Sequence, residues 1–300
     1  MTESVVAGLD LGGTKISAAL VDTAGAVLHR LKQPAVKTTF AESVAQIADI
    51  FRRLVSESGI HPQRVSGIGA CVPGIYSAST GNAWAPNLWG WDEVPLRDAL
   101  ARELPAPLTI DSDRAAYVLG EQWLGAARGL TDVIFLAVGT GIGAGILTGG
   151  RLCRGAGDIA GAVGWFVLDR HTKEIYKQIG CFEAEAAGPG VARRAGAKNA
   201  EEVVAAARRG DAAALANLEE TARLLGRGVA NLVSAFNPRM VVLGGGLMQA
   251  GDLLIEPLRR EMLEWAQPFA AKQVSIELSR LGEDAGLLGA ARLPLVAGSI

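Results

Sequence analysis

The sequence predicts an α/β fold built as two similar domains facing each other across a cleft. Two glycine-rich stretches carry this expectation. Asp10-Leu-Gly-Gly-Thr-Lys15 lies between the apolar runs Val5 to Leu9 and Ile16 to Val21, and reads as strand, tight turn, strand. Gly139-Thr-Gly-Ile-Gly-Ala-Gly145 follows the apolar run Val133 to Val138, and strand-like Ile146-Leu147 and the turn Gly149-Gly150 come after it. It is not a dinucleotide fingerprint, because that motif opens a helix. Each hairpin therefore heads its own antiparallel strands. Identity between the two halves is too low to define an internal repeat by itself.

The remaining elements follow in order. Val27 to Gln33 reads as a third strand after the turn Asp22-Thr-Ala-Gly25. Phe40 to Ser58 has apolar residues at helical spacing (Val44, Ile47, Ile50, Phe51, Leu54). Val65 to Val72 reads as a buried strand stopped by Pro73-Gly74, and Gly81 to Trp91 as a loop. A short helix over Pro95 to Arg102, a strand over Leu108 to Asp111 and a helix over Arg114 to Trp123 come next. Gly155 to Leu168 is glycine-rich and then strand-like, and His171 to Glu185 is a polar loop. Helices fill 199 to 236 and end at Asn237-Pro238. Strand Met240 to Leu243 then runs into Gly244-Gly-Gly246, ahead of a helix over Leu253 to Ala266, a strand over Val274 to Leu278 and a last helix near Asp284 to Leu293. The domains are expected at 1–112 plus 284–300, a small N-terminal α/β domain, and at 113–283, a larger C-terminal one.

Composition excludes several classes of function. The chain has 300 residues, 49% of them apolar, with a net charge of −2. That permits a large core and gives no basic field for nucleic acid or an anionic membrane. The three cysteines Cys71, Cys153 and Cys181 are odd in number and far apart, as reduced cytosolic thiols are. No apolar run reaches the roughly 18 residues of a membrane span. Met1-Thr-Glu-Ser lacks a targeting pattern, so a cytoplasmic location is expected. The first strand begins almost at once, so no DNA-binding helix-turn-helix is expected before it.

Paired glycines let backbone N–H groups approach an anion. Gly12 and Gly13 with Thr14 and Lys15, and Gly139, Thr140 and Gly141, are thus candidate phosphate cradles; the first is equally readable as an ordinary Gly-Gly hairpin. Asp10, at the mouth of the first turn, is placed to hold Mg²⁺ directly or through water. Gly244, Gly245 and Gly246 are candidates to pass under a base or ribose. Trp84, Trp89 and Trp91 surround Asn87, a mixture suited to a sugar, or to a packed surface loop. Asp113 stands at a helix start and reads either as an N-cap or as a general base. Capping lowers the pKa of an aspartate. A weak base is still compatible with phosphoryl transfer, in which the hydroxyl proton can leave late.

Taken in this order, the motifs resemble those of the ROK family, within the actin-like and hexokinase-like (RNase H-like) ATPase fold. The likeness covers nearly the whole chain. Asp10 to Lys15 and Gly139 to Gly143 resemble its two phosphate hairpins, and Val242 to Gly246 its adenosine loop. Val72-Pro-Gly74 and Ala85-Pro-Asn87 with Trp91 resemble its sugar loops, Asp113 to Glu121 its catalytic segment with Ser112 for the usual Asn, and Gly286 to Ala290 its closing motif. The resemblance implies transfer of the ATP γ-phosphoryl to a hexose hydroxyl, usually on C6. Asp113 would take the proton; Gly74, Asn87, Ser112, Glu183 and Trp165 would line the sugar; ATP and Mg²⁺ would be the cofactors. It also implies a homodimer, with glucose the default sugar and a modified hexose as alternative.

Two departures matter. A Glu-x-Gly-His segment of the family, whose Glu and His touch sugar, here reads Ala162-Val-Gly-Trp165. Its CxCGxxGC zinc motif reads Glu174-Ile-Tyr-Lys-Gln-Ile-Gly-Cys181, so no structural zinc is expected, since such a site needs four N or S ligands. His171 nearby is expected to be a solvated loop residue. The altered segment also keeps open a non-catalytic sugar sensor on the same scaffold. Polyphosphate as donor is disfavoured by the Gly244 cluster.

Overall fold

The computed structural model describes residues 4–36 and 39–297. They form two compact units. The first takes the chain up to Gly129, then Arg154–Ile159, then everything from Glu283; the second takes Leu130–Cys153 and Ala160–Gly282. Residues 1–3, 37–38 and 298–300 of the expected first domain lie outside the described residues.

In the first unit β1 (Val5–Leu11), β2 (Lys15–Asp22) and β3 (Val27–Pro34) form an antiparallel meander. After α1 (Phe40–Ser58), strand β4 (Val65–Val72) joins β1 in parallel. A two-stranded ribbon, β5 (Ile75–Tyr76) with β6 (Ala83–Trp84), precedes α2 (Pro86–Trp89) and α3 (Leu96–Glu103). Strand β7 (Leu108–Ser112) then joins β4 in parallel, giving the order β3-β2-β1-β4-β7, and α4 (Asp113–Leu124) follows directly. Strand β1 is apolar and buried except at Asp10, as an inner strand should be, whereas edge strand β3 alternates between exposed and half-buried positions. Helix α1 starts in a capping box between Thr39 and Glu42 and stops at Gly59, φ +69°.

The closing helix, Ala285–Val296, completes this unit. Its motif Gly286-Leu-Leu-Gly-Ala290 is explained by backbone contact. A Cβ on Gly289 would lie 1.7 Å from the Ala116 carbonyl oxygen of α4, and one on Gly69 of β4 would lie 1.8 Å from that of Ala290. Only glycine permits such approaches. Helix α4 therefore packs in the first unit, although the expected boundary at 112 falls at its start.

The second unit repeats the plan. Strands β8 (Val133–Val138), β9 (Ile142–Thr148) and β10 (Arg151–Leu152) form the meander, and β11 (Met240–Gly244) and β12 (Ser275–Leu278) add in parallel, in the order β10-β9-β8-β11-β12. The two sheets share one topology, a duplication that residue identity alone did not establish. Strand β9 begins at Ile142, earlier than expected, so the turn is only Gly139-Thr140-Gly141. The expected strand ahead of Leu168 is instead a 3₁₀ turn over Val163–Trp165. The expected polar loop contains α5 (Tyr176–Ile179) and α6 (Cys181–Ala186). Helices α7 (Gly188–Ala195), α8 (Ala200–Arg208), α9 (Ala212–Phe236), α10 (Gly251–Trp265) and α11 (Pro268–Gln273) enclose a core that includes Phe182, Leu225, Val229, Val241 and Leu243. Among the described residues no helix is long and apolar enough to cross a membrane.

Candidate active site

In the first unit the parallel strands β1, β4 and β7 bring Asp10, Cys71 and Asp111 into register side by side. Ligand sites of α/β sheets gather at the carboxyl ends of such strands. The Cys71 thiol, itself fully buried, donates to Asp10 Oδ1 at 3.5 Å. A Cβ on Gly286 would lie 3.1 Å from Asp10 Oδ2, so the closing helix passes close over this carboxylate. Burial raises the Asp10 pKa, with the Cys71 contact and the Lys15 charge acting against it. Burial, reinforced by the Asp10 charge, pushes the Cys71 thiol well up.

Asp113 is the first residue of α4, and Ser112 is its N-cap: Ser112 Oγ accepts from the Ala115 N–H at 3.3 Å. The capping reading of Asp113 and the lowered pKa that goes with it are therefore corrected. The Asp113 carboxyl is raised to about 6, by burial first and by the Asp10 charge, against the Arg114 charge and the Arg114 N–H, which donates to Oδ1 at 2.8 Å. The Tyr117 hydroxyl lies 3.5 Å from Asp113 Oδ2. The side chain is crowded by protein yet keeps a partly accessible face. It is thus a carboxylate ionised at neutral pH with a basicity suited to accepting a proton. Ser112 is buried, with its hydroxyl engaged in the cap.

The sequence reading missed Asp111 and Arg154. Arg154 Nε and Nη2 both donate to Asp111 Oδ2, at 3.0 and 2.8 Å, and the Ser112 N–H donates to Oδ1 at 2.8 Å. This pair ties Arg154–Ile159 to β7, directly before Asp113. No local motif marks it; the only signal was a carboxylate two residues ahead of Asp113 in an otherwise apolar strand.

The first hairpin turns at Gly12-Gly13-Thr14, with Thr14 exposed. Asn87, on α2, stands beside it: its Cβ is 3.5 Å from the position a Gly13 side chain would take. Lys15 Nζ donates to Glu283 Oε2 at 2.7 Å, so the hairpin cation is already ion-paired. Gly74 (φ +126°) accepts from Arg114 Nη2 at 3.3 Å through its carbonyl. The three tryptophans of the sugar loop separate in role. Trp89 packs edge-on against Phe40 at 5.4 Å at the edge of the core, Trp84 Nε1 donates to the Trp91 carbonyl, and Trp91 is 80% exposed.

In the second unit the hairpin closes with Gly139 N–H donating to the Gly141 carbonyl at 2.9 Å. Thr140 is exposed at its tip. Gly245 (φ +92°) lies against Val138, and Gly246 has open space where a side chain would be. The Gly244–Gly246 loop thus runs beside the hairpin. Glu183 of α6 adjoins the same hairpin: its Oε2 accepts from the Ile142 N–H at 2.8 Å. Burial raises the Glu183 pKa, partly offset by that bond. The Ala162–Trp165 segment packs against both, since a Cβ on Gly164 would lie 2.9 Å from the Ile142 carbonyl oxygen and 3.0 Å from Glu183 Cβ. Trp165 itself is 55% exposed. His171 is an exposed loop residue paired with Asp169 at 3.1 Å.

The residues at the family's zinc positions do not fit a zinc ion. Cys181 is buried in an apolar cluster with Tyr176 and Ala184, and the Tyr176 hydroxyl donates to Glu185 Oε1 at 2.9 Å. Trp165 offers no ligand atom.

Two α/β units of one topology, each headed by a glycine hairpin, define an actin-like ATPase fold. The ROK family profile matches residues 6–296. A glucokinase of Thermotoga maritima is 33% identical, over 95% of this chain and 96% of its own length. The crystal structure of a ROK hexokinase from Thermus thermophilus matches with a TM-score of 0.83 at 34% identity, covering 96% of each chain. That of a ROK family glucokinase from Streptomyces griseus, in complex with glucose and AMPPNP, matches with a TM-score of 0.79 at 28% identity, covering 97% of this chain and 99% of its own. The chain belongs to the ROK family.

Proposed function

We propose that the protein is an ATP-dependent hexose kinase that phosphorylates a sugar hydroxyl, the C6-OH of glucose or of a related or modified hexose. The observation that carries this reading is Asp113, a partly accessible carboxylate with a pKa raised to about 6 beside Asp10. In the reaction the sugar oxygen forms a bond to the γ-phosphorus, the bond from γ-phosphorus to the β–γ bridging oxygen breaks, ADP leaves, and the hydroxyl proton passes to Asp113. The transition state is loose, so positioning and charge stabilisation supply most of the rate.

Asp10 suits Mg²⁺, because its half-buried carboxylate meets the weak thiol donor of Cys71 at 3.5 Å and magnesium in such sites takes one or two carboxylates plus phosphate and water. When bound, the ion neutralises charge on the phosphates. Gly12, Gly13, Thr14 and Lys15 of the first unit, and Gly139, Thr140 and Gly141 of the second, are assigned to the phosphates. Gly244, Gly245 and Gly246 are assigned to the adenosine. Gly74, Asn87, Ser112, Asp113, Glu183 and Trp165 are assigned to the sugar. A cytoplasmic homodimer belongs to the same reading: the dimer rests on family resemblance, and the location on the three separate cysteines and the N-terminal sequence.

A coupled ADP-release assay over a panel of hexoses tests the proposal. Turnover stimulated by at least one sugar and lost in Asp113→Ala is expected. No stimulated turnover by any sugar, with Asp113→Ala indistinguishable from wild type, would sink it. The Ala162–Trp165 segment favours one competing reading, a sugar sensor without catalysis. Calorimetry separates the two, since a sensor would bind sugar tightly and nucleotide not at all.

A further inference from the structure

Helix α6 carries two carboxylates with different partners. Glu183 faces the second hairpin through the Ile142 N–H. Glu185, two residues on, is 14% exposed and gathers cations from the segments on both sides of the helix. Lys173 Nζ lies 2.8 Å and the Tyr176 hydroxyl 2.9 Å from its Oε1, both from the chain just before α6. Arg193 Nη2 lies 3.7 Å from Oε1 and Arg194 Nη1 4.0 Å from Oε2, both from α7 just after it. Lys173 Nζ also sits 5.6 Å from the centre of the Tyr176 ring. Arg194 further donates to the Glu185 carbonyl at 2.8 Å and to Asn217 Oδ1 of α9 at 3.1 Å. Burial by itself would raise the Glu185 pKa; the Lys173 and Tyr176 hydrogen bonds outweigh it and hold the carboxyl below its ordinary value.

A helix of six residues has no stability of its own. Its orientation must come from tertiary contacts. One side is apolar: Phe182 stacks on Phe166 at 6.4 Å, and Cys181 packs with Tyr176, Ile175, Ile179 and Leu168. The other is the polar knot on Glu185. These contacts occupy the region in which the family resemblance places zinc ligands, and of that motif only Cys181 remains, buried among apolar side chains.

We propose that Tyr176, Lys173 and Glu185 form a metal-free clasp that positions Glu183, and thereby sets sugar affinity. This rests on Glu183 being a sugar-binding carboxylate. Tyr176 and Glu185 are positioning residues and touch no substrate. The clasp ties the segment before α6 to the helix, and α7 ties the helix to α9, so the Glu183 carboxylate is held from both ends.

The test compares Tyr176→Phe, Lys173→Met, Glu183→Gln and the Tyr176→Phe/Glu183→Gln double variant in steady-state kinetics, varying sugar and ATP separately. Loss of a hydrogen bond to a charged group should raise the sugar KM about tenfold in Tyr176→Phe. Lys173→Met should move it in the same direction. The ATP KM and kcat should stay within about twofold of wild type, and the double variant should be no worse than Glu183→Gln alone, as residues acting through one another are non-additive. Sugar and ATP affinities falling together, or additive effects in the double variant, would overturn the positioning role. An unchanged sugar KM in Glu183→Gln would overturn the sugar role of Glu183 itself, and the clasp with it. A melting temperature of the wild-type protein unmoved by a zinc chelator is expected, whereas a chelator-induced drop would show that the segment holds metal.

Discussion

Arg154 meets Asp111 through two donors on one carboxylate oxygen, Nε at 3.0 Å and Nη2 at 2.8 Å, and that carboxylate is buried one residue before the cap of α4. The pair joins the returning segment Arg154–Ile159 to the strand that delivers Asp113. Burial raises the Asp111 pKa and Arg154 opposes it.

Removing one partner of such a pair leaves an uncompensated charge in a poorly solvated place. Arg154→Met should therefore destabilise the protein by about 2–4 kcal/mol, and Asp111→Asn combined with Arg154→Met should recover part of the loss. Denaturant titration of the two variants checks this. A double variant less stable than Arg154→Met alone would contradict it.

Asp113→Asn should lower kcat by roughly 10²- to 10⁴-fold, the range expected for loss of a general base. It should also raise stability. The folded pKa is raised from 3.8 to about 6, so the folded state holds this proton more tightly than the unfolded chain. Stability then falls as pH rises through that window, and the deficit persists above it. Removing the charge should return on the order of 1–2 kcal/mol at neutral to alkaline pH, allowing for the partial exposure of the side chain. Melting curves on either side of the window read the sign directly.

The same pKa fixes the pH profile. Asp113 must be ionised to accept the hydroxyl proton, so kcat/KM should fall below a limb near pH 6 and be flat just above it. Tyr117→Phe removes a weak donor from the carboxylate, so its limb should move up in pH. A limb that stays in place in Tyr117→Phe would remove Tyr117 from the account.

Two glycines should behave oppositely. Gly289→Ala forces a Cβ to within 1.7 Å of a backbone oxygen of α4 and should cost at least about 3 kcal/mol or prevent folding. Gly246→Ala meets nothing and should leave the melting temperature unchanged, while raising the KM for ATP several-fold if this loop passes under the nucleotide. An unchanged ATP KM would dissociate the Gly244–Gly246 loop from nucleotide binding.

The legible part of this protein was local. Asp10-Leu-Gly-Gly-Thr-Lys15 and Gly139-Thr-Gly announce turns because glycine placement is dictated by backbone sterics within a few residues. The strand and helix runs follow from apolar periodicity, and the position of Asp113 at the start of α4 follows from the strand that ends before it. Together they indicated two α/β units and their hairpins from the amino-acid order alone.

What the tertiary structure decided depends on partners distant in the chain. The Asp10–Cys71–Asp111 row needs the parallel pairing of three strands. The raised pKa of Asp113 needs burial and the Asp10 charge, neither of which its neighbours in sequence reveal. Trp89 is half-buried against the core and Trp91 stays open although they lie in one loop, because Trp89 packs on Phe40 at the core's edge whereas Trp91 meets only the neighbouring ring of Trp84. The duplicated topology emerged from strand pairing, since two halves can bury equivalent faces with different side chains. Sequence sets turns and faces, where the forces act between near neighbours; long-range packing sets the registers, charges and contacts on which the chemistry depends.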